Sequence, residues 1–409
     1  MGKGKTVLVL GGGVGGLTAA NRLRELLAPE HRIVVVERRT DHLFAPSLLW
    51  LMVGERRREQ LTRDLAGMLR RGVELVHAEV GAIDPDRKIV VAGEREIAYD
   101  ALVVALGAEL APAAMPGYVD VAYDFFDLDG AARLAESLGT FSGGRVVVAV
   151  TALPYKCPAA PYEAALLIEA ALRRRGVRDR SEVAVFTPEP QPMPVAGPVL
   201  GGAVTQLLAE RRIALHTSRA LAAIDAARRE LVLADGARES FDLLAAVPPH
   251  RAPEAVRSSP LANENGWIPV DPRTLRTLGT RFKDVFAIGD VATITLANGK
   301  PLPKAGVFAH SEAIAVAHQI AASLGEHSGP AFDGKGYCWV ELGDGRAAFA
   351  EGDFYAAPAP AIRLRSPNAM WHVGKVLFER SWMGRGPGRI LATAALRSGA
   401  KALRIEAPL

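Results

Sequence analysis

Cysteine is scarce in this chain: two residues, Cys157 and Cys338, occur among 409. So few cysteines exclude a small secreted scaffold held together by several disulfides. Cytosolic thiols are normally kept reduced, so a disulfide in that compartment is more often catalytic than structural. Two unrelated buried thiols are the alternative at this point.

Long hydrophobic runs are also missing. No stretch of about 18 consecutive apolar residues, the length that spans a bilayer, occurs in the sequence. The N-terminus shows no secretory signal pattern, so we expect the cytoplasm or the cytoplasmic face of a membrane. The net charge of +4 comes without a clustered basic stripe, so we expect no nucleic-acid partner. We also predict no metal site.

A glycine-rich turn is the strongest motif that is present. Residues 5–10 form an apolar strand pattern, and G-x-G-x-x-G and a helical pattern follow. Gly11 permits the tight turn, Gly13 lets the backbone approach a pyrophosphate, and Gly16 lets helix and strand pack closely. The next strand pattern ends at Glu37, whose carboxylate suits a ribose hydroxyl. These features predict a dinucleotide site.

Two later segments indicate which dinucleotide binds. A strand pattern at residues 101–106 ends at Gly107, and another at residues 284–288 ends at Gly289 and Asp290. The Asp290 carboxylate can accept hydrogen bonds from the ribityl chain of a flavin, with Gly289 permitting close approach. A helix N-cap is the alternative role for Asp290.

The middle of the chain lacks a second glycine-rich loop. Residues 145–150 and 183–186 are typical of buried strands, and residues 163–175 have a helical pattern. This is a βαβ unit, yet its first turn, residues 151–163, has no G-x-G-x-x-G and contains Cys157. NAD(P)H binding is therefore not expected there.

These segments, in this order, resemble the two-dinucleotide-binding-domain flavoproteins, the superfamily of glutathione reductase. The resemblance implies an α/β fold with two Rossmann-like dinucleotide-binding domains, the second inserted into the first, and a C-terminal α+β domain. The expected domains are residues 1–110 and 246–325 (FAD-binding), 111–245 (degenerate NAD-like, with Cys157) and 326–409 (with Cys338, the quinone site and a membrane-interface segment).

Within that superfamily the chain is similar to the sulfide:quinone oxidoreductases and to the flavoprotein subunit of flavocytochrome c sulfide dehydrogenase. Residues 40–50 lack the C-x4-C pair of the usual reductases, whereas residues 156–163 and 336–343 resemble two redox-cysteine motifs of the sulfide-oxidising family. The resemblance implies FAD-dependent oxidation of sulfide to sulfur or polysulfide through a Cys157–Cys338 disulfide. The electrons would pass to a membrane quinone.

The resemblance suggests roles for further residues. Hydrosulfide attack on the disulfide would leave a persulfide and a thiolate, and Glu163 would shuttle protons or merely begin a helix. Lys304, ahead of a helical pattern at residues 307–322, would stabilise charge on the reduced flavin, or be solvated. Core packing is the alternative for the aromatic residues of the expected quinone site, which comprises Phe354, Lys375 and Phe378.

Two features of the family are absent. No third cysteine occurs at residues 118–126, so FAD is expected to bind non-covalently. No histidine follows the Thr-Pro-Glu-Pro at residues 187–190, so an acid–base role there does not carry over. Basic, partly apolar segments at residues 373–383, 390–396 and 400–405 predict peripheral association with the cytoplasmic side of the cell membrane. A homo-oligomer contact or ordinary packing is the alternative.

Three other functions remain open from the sequence. A soluble sulfide dehydrogenase would pass electrons to a cytochrome c partner, but it would normally be exported. A type II NADH:quinone oxidoreductase would need the second phosphate loop and no cysteine pair. An FAD-bound redox sensor could hold a persulfide without turnover, which would leave Lys375 and the C-terminal aromatic residues without a role.

Overall fold

The computed structural model describes residues 4–405. The chain divides into two compact units. Unit 1 contains the residues up to Leu43, Arg63–Glu109 and Arg251–Gly334; unit 2 contains Phe44–Thr62, Leu110–His250 and the residues from Lys335 onward. Both units contain a parallel sheet, which confirms the predicted α/β class. The exact domain limits expected within this arrangement stay predictions.

A five-stranded parallel sheet forms the centre of unit 1. Its long hydrophobic strands are buried, as expected for a parallel sheet that is covered on both faces. The helices Val14–Leu26 and Gly306–Ser323 pack against each other. In sheet order the strands are Val285–Ala287, Ala101–Val104, Thr6–Leu10, Arg32–Glu37 and Val73–His77. Unit 1 also contains the strands Val80–Asp84, Ile89–Ala92 and Arg95–Ala98, which form an antiparallel sheet, and the helix Glu254–Arg257.

A second five-stranded parallel sheet lies in unit 2. Its central strand, Gly144–Val150, is buried along Val146–Val150 and leads through the turn with Cys157 into the helix Ala160–Arg174. In sheet order the strands are Tyr123–Asp124, Leu243–Val247, Gly144–Val150, Ser181–Phe186 and Ile213–His216. Other elements here are the helices Leu48–Leu51, Arg58–Leu61, Tyr118–Val121, Leu128–Thr140 and Pro198–Glu210, and the antiparallel strands Leu221–Asp225, Glu230–Leu233 and Arg238–Ser240.

Unit 2 also contains a three-stranded antiparallel sheet with two helices after it. The strands are Lys335–Glu341, Ala347–Asp353 and Ala361–Asn368, and the helices are Ala369–Met383 and Gly386–Ala402. The last helix is continuous where two separate segments were expected, because the alanine-rich sequence tolerates Gly399 in its interior. Among residues 4–405, no helix has both the length and the hydrophobicity to cross a membrane.

Candidate functional site

The glycine-rich turn of unit 1, residues 11–16, is called the phosphate loop below. A Cβ on Gly16 would lie 1.8 Å from the carbonyl oxygen of Gly11, so only glycine fits at that position. A Cβ on Gly13 would meet no atom of the described residues within 4 Å. The space beside Gly13 therefore lies open at the N-terminus of the helix Val14–Leu26, where amide donors favour an anion. The loop fits the pyrophosphate of FAD.

Glu37 closes the phosphate loop from the end of the neighbouring strand. Its Oε2 accepts a hydrogen bond from the Gly12 amide at 2.6 Å, and its Oε1 accepts one from the Arg39 amide at 2.9 Å. Each carboxylate oxygen keeps a further lone pair, so a ribose hydroxyl can still donate to it. His42, which no motif indicated, contacts the Gly12 carbonyl through Nδ1 at 3.1 Å. Burial lowers the pKa of His42 and favours its neutral form.

The other predicted flavin residues of unit 1 lie at strand ends. Gly107 follows the strand Ala101–Val104, and Gly289 and Asp290 follow the strand Val285–Ala287. The Gly289 amide donates to Oε2 of Glu312 at 2.6 Å, and the Glu312 side chain is buried. Burial raises the pKa of Glu312 to about 7. The only sequence signal for Glu312 is that it is the single acidic residue of the helix Gly306–Ser323.

Lys304 is not a solvated lysine. Its Nζ donates to the backbone carbonyls of Asp290 at 2.5 Å and Ala292 at 3.2 Å, and lies 3.7 Å from the ring centre of Trp267. Burial lowers the pKa of Lys304 to about 8, although Asp290 and Glu312 act in the opposite direction. Lys304 and Glu312 line the same cavity as Gly289. Unit 1 therefore holds a cation and a titratable carboxyl group beside the Gly289 turn.

Both cysteines belong to unit 2. Cys157 has a φ of 55° and lies in the turn of residues 151–159, called the cysteine loop below. Cys338 lies in the strand Lys335–Glu341. Burial raises the pKa of the Cys338 thiol above its ordinary value; Cys157 and Glu163 raise it further, and Lys375 lowers it. The charge of Cys157 therefore acts on the Cys338 thiol, and the pairing of the two cysteines as a disulfide stays a prediction.

Glu163 and Lys375 form an ion pair inside unit 2. They come from the helices Ala160–Arg174 and Ala369–Met383, and their side chains are 3% and 7% exposed. The Lys375 ammonium donates to Oε1 of Glu163. Burial raises the pKa of Glu163 to about 7, against the opposing effect of Lys375. Burial alone would lower the pKa of Lys375, but the charges of Glu163 and Glu341 raise it overall.

Three residues that had no predicted role lie around this pair. Oε2 of Glu341 hydrogen-bonds Nδ1 of His372 at 2.9 Å, and the Glu341 charge raises the pKa of both Glu163 and Lys375. Trp50 lies with its ring centre 4.8 Å from the Lys375 ammonium. A carboxyl group that exchanges its proton near neutral pH therefore sits beside a cation and an aromatic face.

Two of the three residues expected to bind quinone, Lys375 and Phe378, lie on the same helix. Phe378 follows Lys375 on the same helix and packs against Trp339, with ring centres 5.2 Å apart, and against Phe44 at 5.7 Å. Phe354 lies half-buried after the strand Ala347–Asp353, and its place beside Lys375 stays a prediction.

A second buried carboxylate supports the cysteine loop. Oε2 of Glu189 accepts hydrogen bonds from the hydroxyls of Tyr155 at 2.9 Å, Tyr162 at 2.5 Å and Thr187 at 3.3 Å. Burial raises the pKa of Glu189, and these three hydroxyls lower it. The Tyr155 hydroxyl also lies 3.2 Å from the carbonyl oxygen of Pro158. Tyrosine side chains therefore hold the loop on both sides of Cys157.

Comparison with known proteins gives a consistent result. The family model described as pyridine nucleotide-disulphide oxidoreductase matches residues 5–319. The mitochondrial sulfide:quinone oxidoreductase of Mus musculus is 26% identical over 373 residues, which cover 86% of this chain and 79% of that protein. The sulfide-quinone reductase of Aquifex aeolicus is 27% identical over 401 residues, covering 93% and 90%. An X-ray structure of the sulfide:quinone oxidoreductase from that bacterium matches with a TM-score of 0.80 at 26% identity, covering 92% of this chain and 90% of that one.

Proposed function

The chain belongs to the pyridine nucleotide-disulphide oxidoreductase family, and within it we propose that this protein is an FAD-dependent sulfide:quinone oxidoreductase. The observation that carries the proposal is the buried Glu163–Lys375 ion pair of unit 2. The charges of this pair and of Cys157 act on the Cys338 thiol. The similarity to sulfide-oxidising relatives over most of the chain supports the same reaction.

FAD would be held by unit 1, through residues whose geometry fits it. The phosphate loop would bind the pyrophosphate and Glu37 the ribose. Asp290 and Lys304 would contact the ribityl chain and the ring. FAD supplies the transfer of two electrons between a sulfur donor and a quinone. The chain has no cysteine besides the two in unit 2, so non-covalent binding is part of the proposal.

The sulfur chemistry would use Cys157 and Cys338 as a redox disulfide. Hydrosulfide attacks one sulfur, the disulfide bond breaks, and a persulfide remains on one cysteine and a thiolate on the other. Glu163 is the nearby group suited to take the persulfide proton, because its carboxyl exchanges protons near neutral pH. Lys375 would stabilise the anions that form in this buried site, as it already opposes the rise in the pKa of Cys338.

Quinone would bind at Lys375 and Phe378. A quinone head needs flat apolar walls and a donor to a carbonyl oxygen. Phe378, which follows Lys375 by about one helical turn, packs in an aromatic cluster. Phe354 would add a further wall. The Lys375 ammonium, which is buried and bound to Glu163, would donate to the quinone oxygen.

Peripheral membrane association is proposed for the last two helices. Met370, Val373, Ile390 and Leu391 are between 47% and 70% exposed on them. Exposed basic side chains accompany this apolar surface, which suits the interface of an anionic membrane. The basic residues are Arg380, Arg385, Arg389, Arg397 and Lys401. Loss of vesicle binding in an Ile390→Glu, Leu391→Glu variant would support the proposal; unchanged binding would contradict it.

Anaerobic stopped-flow spectroscopy tests the function directly. Sulfide is expected to bleach the flavin absorbance of the purified protein within the time of a turnover, and a short-chain quinone to restore it. NADH is expected to leave the flavin oxidised, because the cysteine loop has no glycine-rich phosphate site. The proposal fails if NADH bleaches the flavin while sulfide does not.

A further inference from the structure

Two side chains of opposite charge bind the Gly289 turn of unit 1, residues 289–292. The buried Glu312 carboxylate accepts a hydrogen bond from the Gly289 amide at 2.6 Å. The Lys304 ammonium donates to two backbone carbonyls of the same turn. Glu312, Lys304 and Gly289 also line one cavity. A change in the charge of either side chain therefore acts directly on the turn that would hold the ribityl chain of FAD.

Glu312 has few polar partners for a buried carboxylate. Its exposed fraction is 3%, and among the described residues only the Gly289 amide donates to it. Keeping a carboxylate ionised in a buried site with a single donor is unfavourable. Burial raises the pKa of Glu312 to about 7; Asp290 acts in the same direction, and the Gly289 amide and Lys304 oppose the rise. The protonation of Glu312 therefore responds to any further charge placed beside the turn.

The segments packed against Glu312 contribute few other charges. The helix Val14–Leu26 packs against the helix Gly306–Ser323 and carries charged side chains only toward its C-terminal end. Burial lowers the pKa of both histidines of the helix Gly306–Ser323, so they are neutral near pH 7. Apart from Glu312, the ionisable side chains of the two helices are Arg22, Arg24 and Glu25 on the first and His310 and His318 on the second. Asp290 and Lys304 are therefore the main charges that act on Glu312.

We infer that Glu312 takes up a proton from water when the bound flavin is reduced and releases it when the flavin is reoxidised, and that it thereby sets the reduction potential of the flavin. The inference rests on the proposed binding of FAD by unit 1. The two electrons that sulfide supplies give FAD + 2e⁻ + H⁺ → FADH⁻, and the added negative charge makes a second anion beside the Gly289 turn less stable. Glu312 then binds its own proton, –COO⁻ + H⁺ → –COOH. Glu312 acts through the turn and through its charge, so it is a positioning residue.

The proton affinity of Glu312 and the potential of the flavin are linked. A group that binds protons more tightly in the reduced protein must raise the reduction potential when it is protonated, by the same free energy. A tenfold difference in proton affinity corresponds to about 30 mV for a two-electron couple. Between about pH 5.5 and about pH 8.5, the wild-type potential should therefore fall by about 30 mV relative to that of Glu312→Gln.

Potentials are measured on the holoprotein by titrating the flavin absorbance with dithionite against a reference dye. Glutamine keeps the shape of the side chain and an acceptor for the Gly289 amide, but it binds no proton in this pH range. The same comparison in a Lys304→Arg background separates Glu312 from Lys304, because arginine stays protonated throughout. Glu264→Gln, at an exposed glutamate of unit 1, is the control and should match the wild type. A difference between wild type and Glu312→Gln that does not change with pH overturns the inference, as does an equal change in Glu264→Gln.

Infrared difference spectroscopy gives a second readout that a purely structural role would not change. At about pH 7.5, reduction of the wild type should produce the C=O band of a newly protonated carboxyl group, and this band should be missing from Glu312→Gln. Should Glu312→Gln bind no FAD, Glu312→Asp, which keeps a carboxyl group, identifies the band by its shift. Reduction without such a band overturns the inference. Both measurements use dithionite alone, so a wild type that oxidises no sulfide with quinone ends the proposed reaction and still leaves the role of Glu312 to be decided.

Discussion

The phosphate loop and the cysteine loop occupy equivalent places in two similar sheets. Each follows the central strand of a five-stranded parallel sheet and leads into a helix. The phosphate loop is built from glycine and leaves space beside Gly13. The cysteine loop is filled by Tyr155, which is 5% exposed and hydrogen-bonded to Glu189. The same topology thus serves a nucleotide in one unit and thiol chemistry in the other, because side chains and not the fold decide the ligand.

The two loops also differ in how charge is placed near them. Open amides at a helix N-terminus make the phosphate loop receptive to an anion. Behind the cysteine loop, the helix Ala160–Arg174 instead carries Glu163 in its first turn, paired with Lys375. An incoming dinucleotide would meet a carboxylate there, and hydrosulfide would meet a proton acceptor. The cysteine loop therefore suits a thiol reaction better than the binding of a phosphate anion.

Replacing either cysteine should produce the largest effect. In Cys157→Ser or Cys338→Ser, sulfide-driven flavin reduction is expected to fall to the slow rate of the uncatalysed reaction, because a hydroxyl cannot form the disulfide that hydrosulfide attacks. FAD content should stay at the wild-type level, since both cysteines lie in unit 2 and the phosphate loop lies in unit 1. Stopped-flow rates and the flavin absorbance per chain measure the two effects. Rapid reduction in either variant would refute the disulfide mechanism.

Substitutions in the phosphate loop should have the next largest effect and should separate folding from binding. Gly13→Ala adds a methyl group to open space, so the fold should persist while FAD affinity falls about tenfold or more. Gly16→Ala drives a methyl group against the Gly11 carbonyl, which should destabilise the protein by about 1–3 kcal/mol. Calorimetry of the apoprotein and FAD titration give the two values. Leu153→Ala, at an exposed side chain of the cysteine loop, is the control; if it weakened FAD binding as much, the two loops would not be functionally distinct.

The sequence predicted much of the phosphate loop but only part of the site at the cysteine loop. The phosphate loop, Glu37 and the Gly289 turn follow local spacing rules, and all three belong to unit 1. The pairing of Glu163 with Lys375 joins residues 212 positions apart, and no periodicity signals such a contact. Glu341 lies in the redox-cysteine motif of residues 336–343, but its contact with His372 was missed for the same reason. Local motifs predict what a backbone turn binds, whereas buried charge networks depend on packing between distant segments.

Loosening the cysteine loop should have a smaller effect than removing its thiol. Tyr155→Phe deletes the hydroxyl that donates to Glu189, and a hydrogen bond of about 1 kcal/mol corresponds to about a fivefold change in rate. We expect disulfide formation by the reduced protein with oxidised glutathione to slow by about that factor. The control is Tyr118→Phe, which deletes another buried hydroxyl of unit 2, donated to the Ala246 carbonyl at 2.8 Å. Equal slowing in both variants would show that Glu189 has no specific role at Cys157.

The smallest effect is expected at Glu312, the buried carboxyl group beside the Gly289 turn of unit 1. Burial raises its pKa to about 7, so between its ordinary value and pH 7 the folded protein binds more protons than the unfolded chain does. The stability that Glu312 contributes is therefore full at low pH and is lost as pH rises through about 7. Relative to Glu312→Gln, the free energy of unfolding of the wild type should fall by on the order of 1–3 kcal/mol between about pH 4.5 and about pH 7.5.

Lys304 contributes little to the change that Glu312 causes between about pH 4.5 and about pH 7.5. Its pKa is lowered to about 8, so it stays mostly protonated in that range. Denaturant unfolding of the apoprotein supplies the free energies. Glu264→Gln, at an exposed glutamate of unit 1, is the control for replacing a surface carboxylate by an amide. The charge near the Gly289 turn then changes with pH although the phosphate loop itself contains no ionisable side chain. If the difference between wild type and Glu312→Gln stayed constant, Glu312 would be ionised throughout, and titratable buried carboxyl groups would be confined to unit 2.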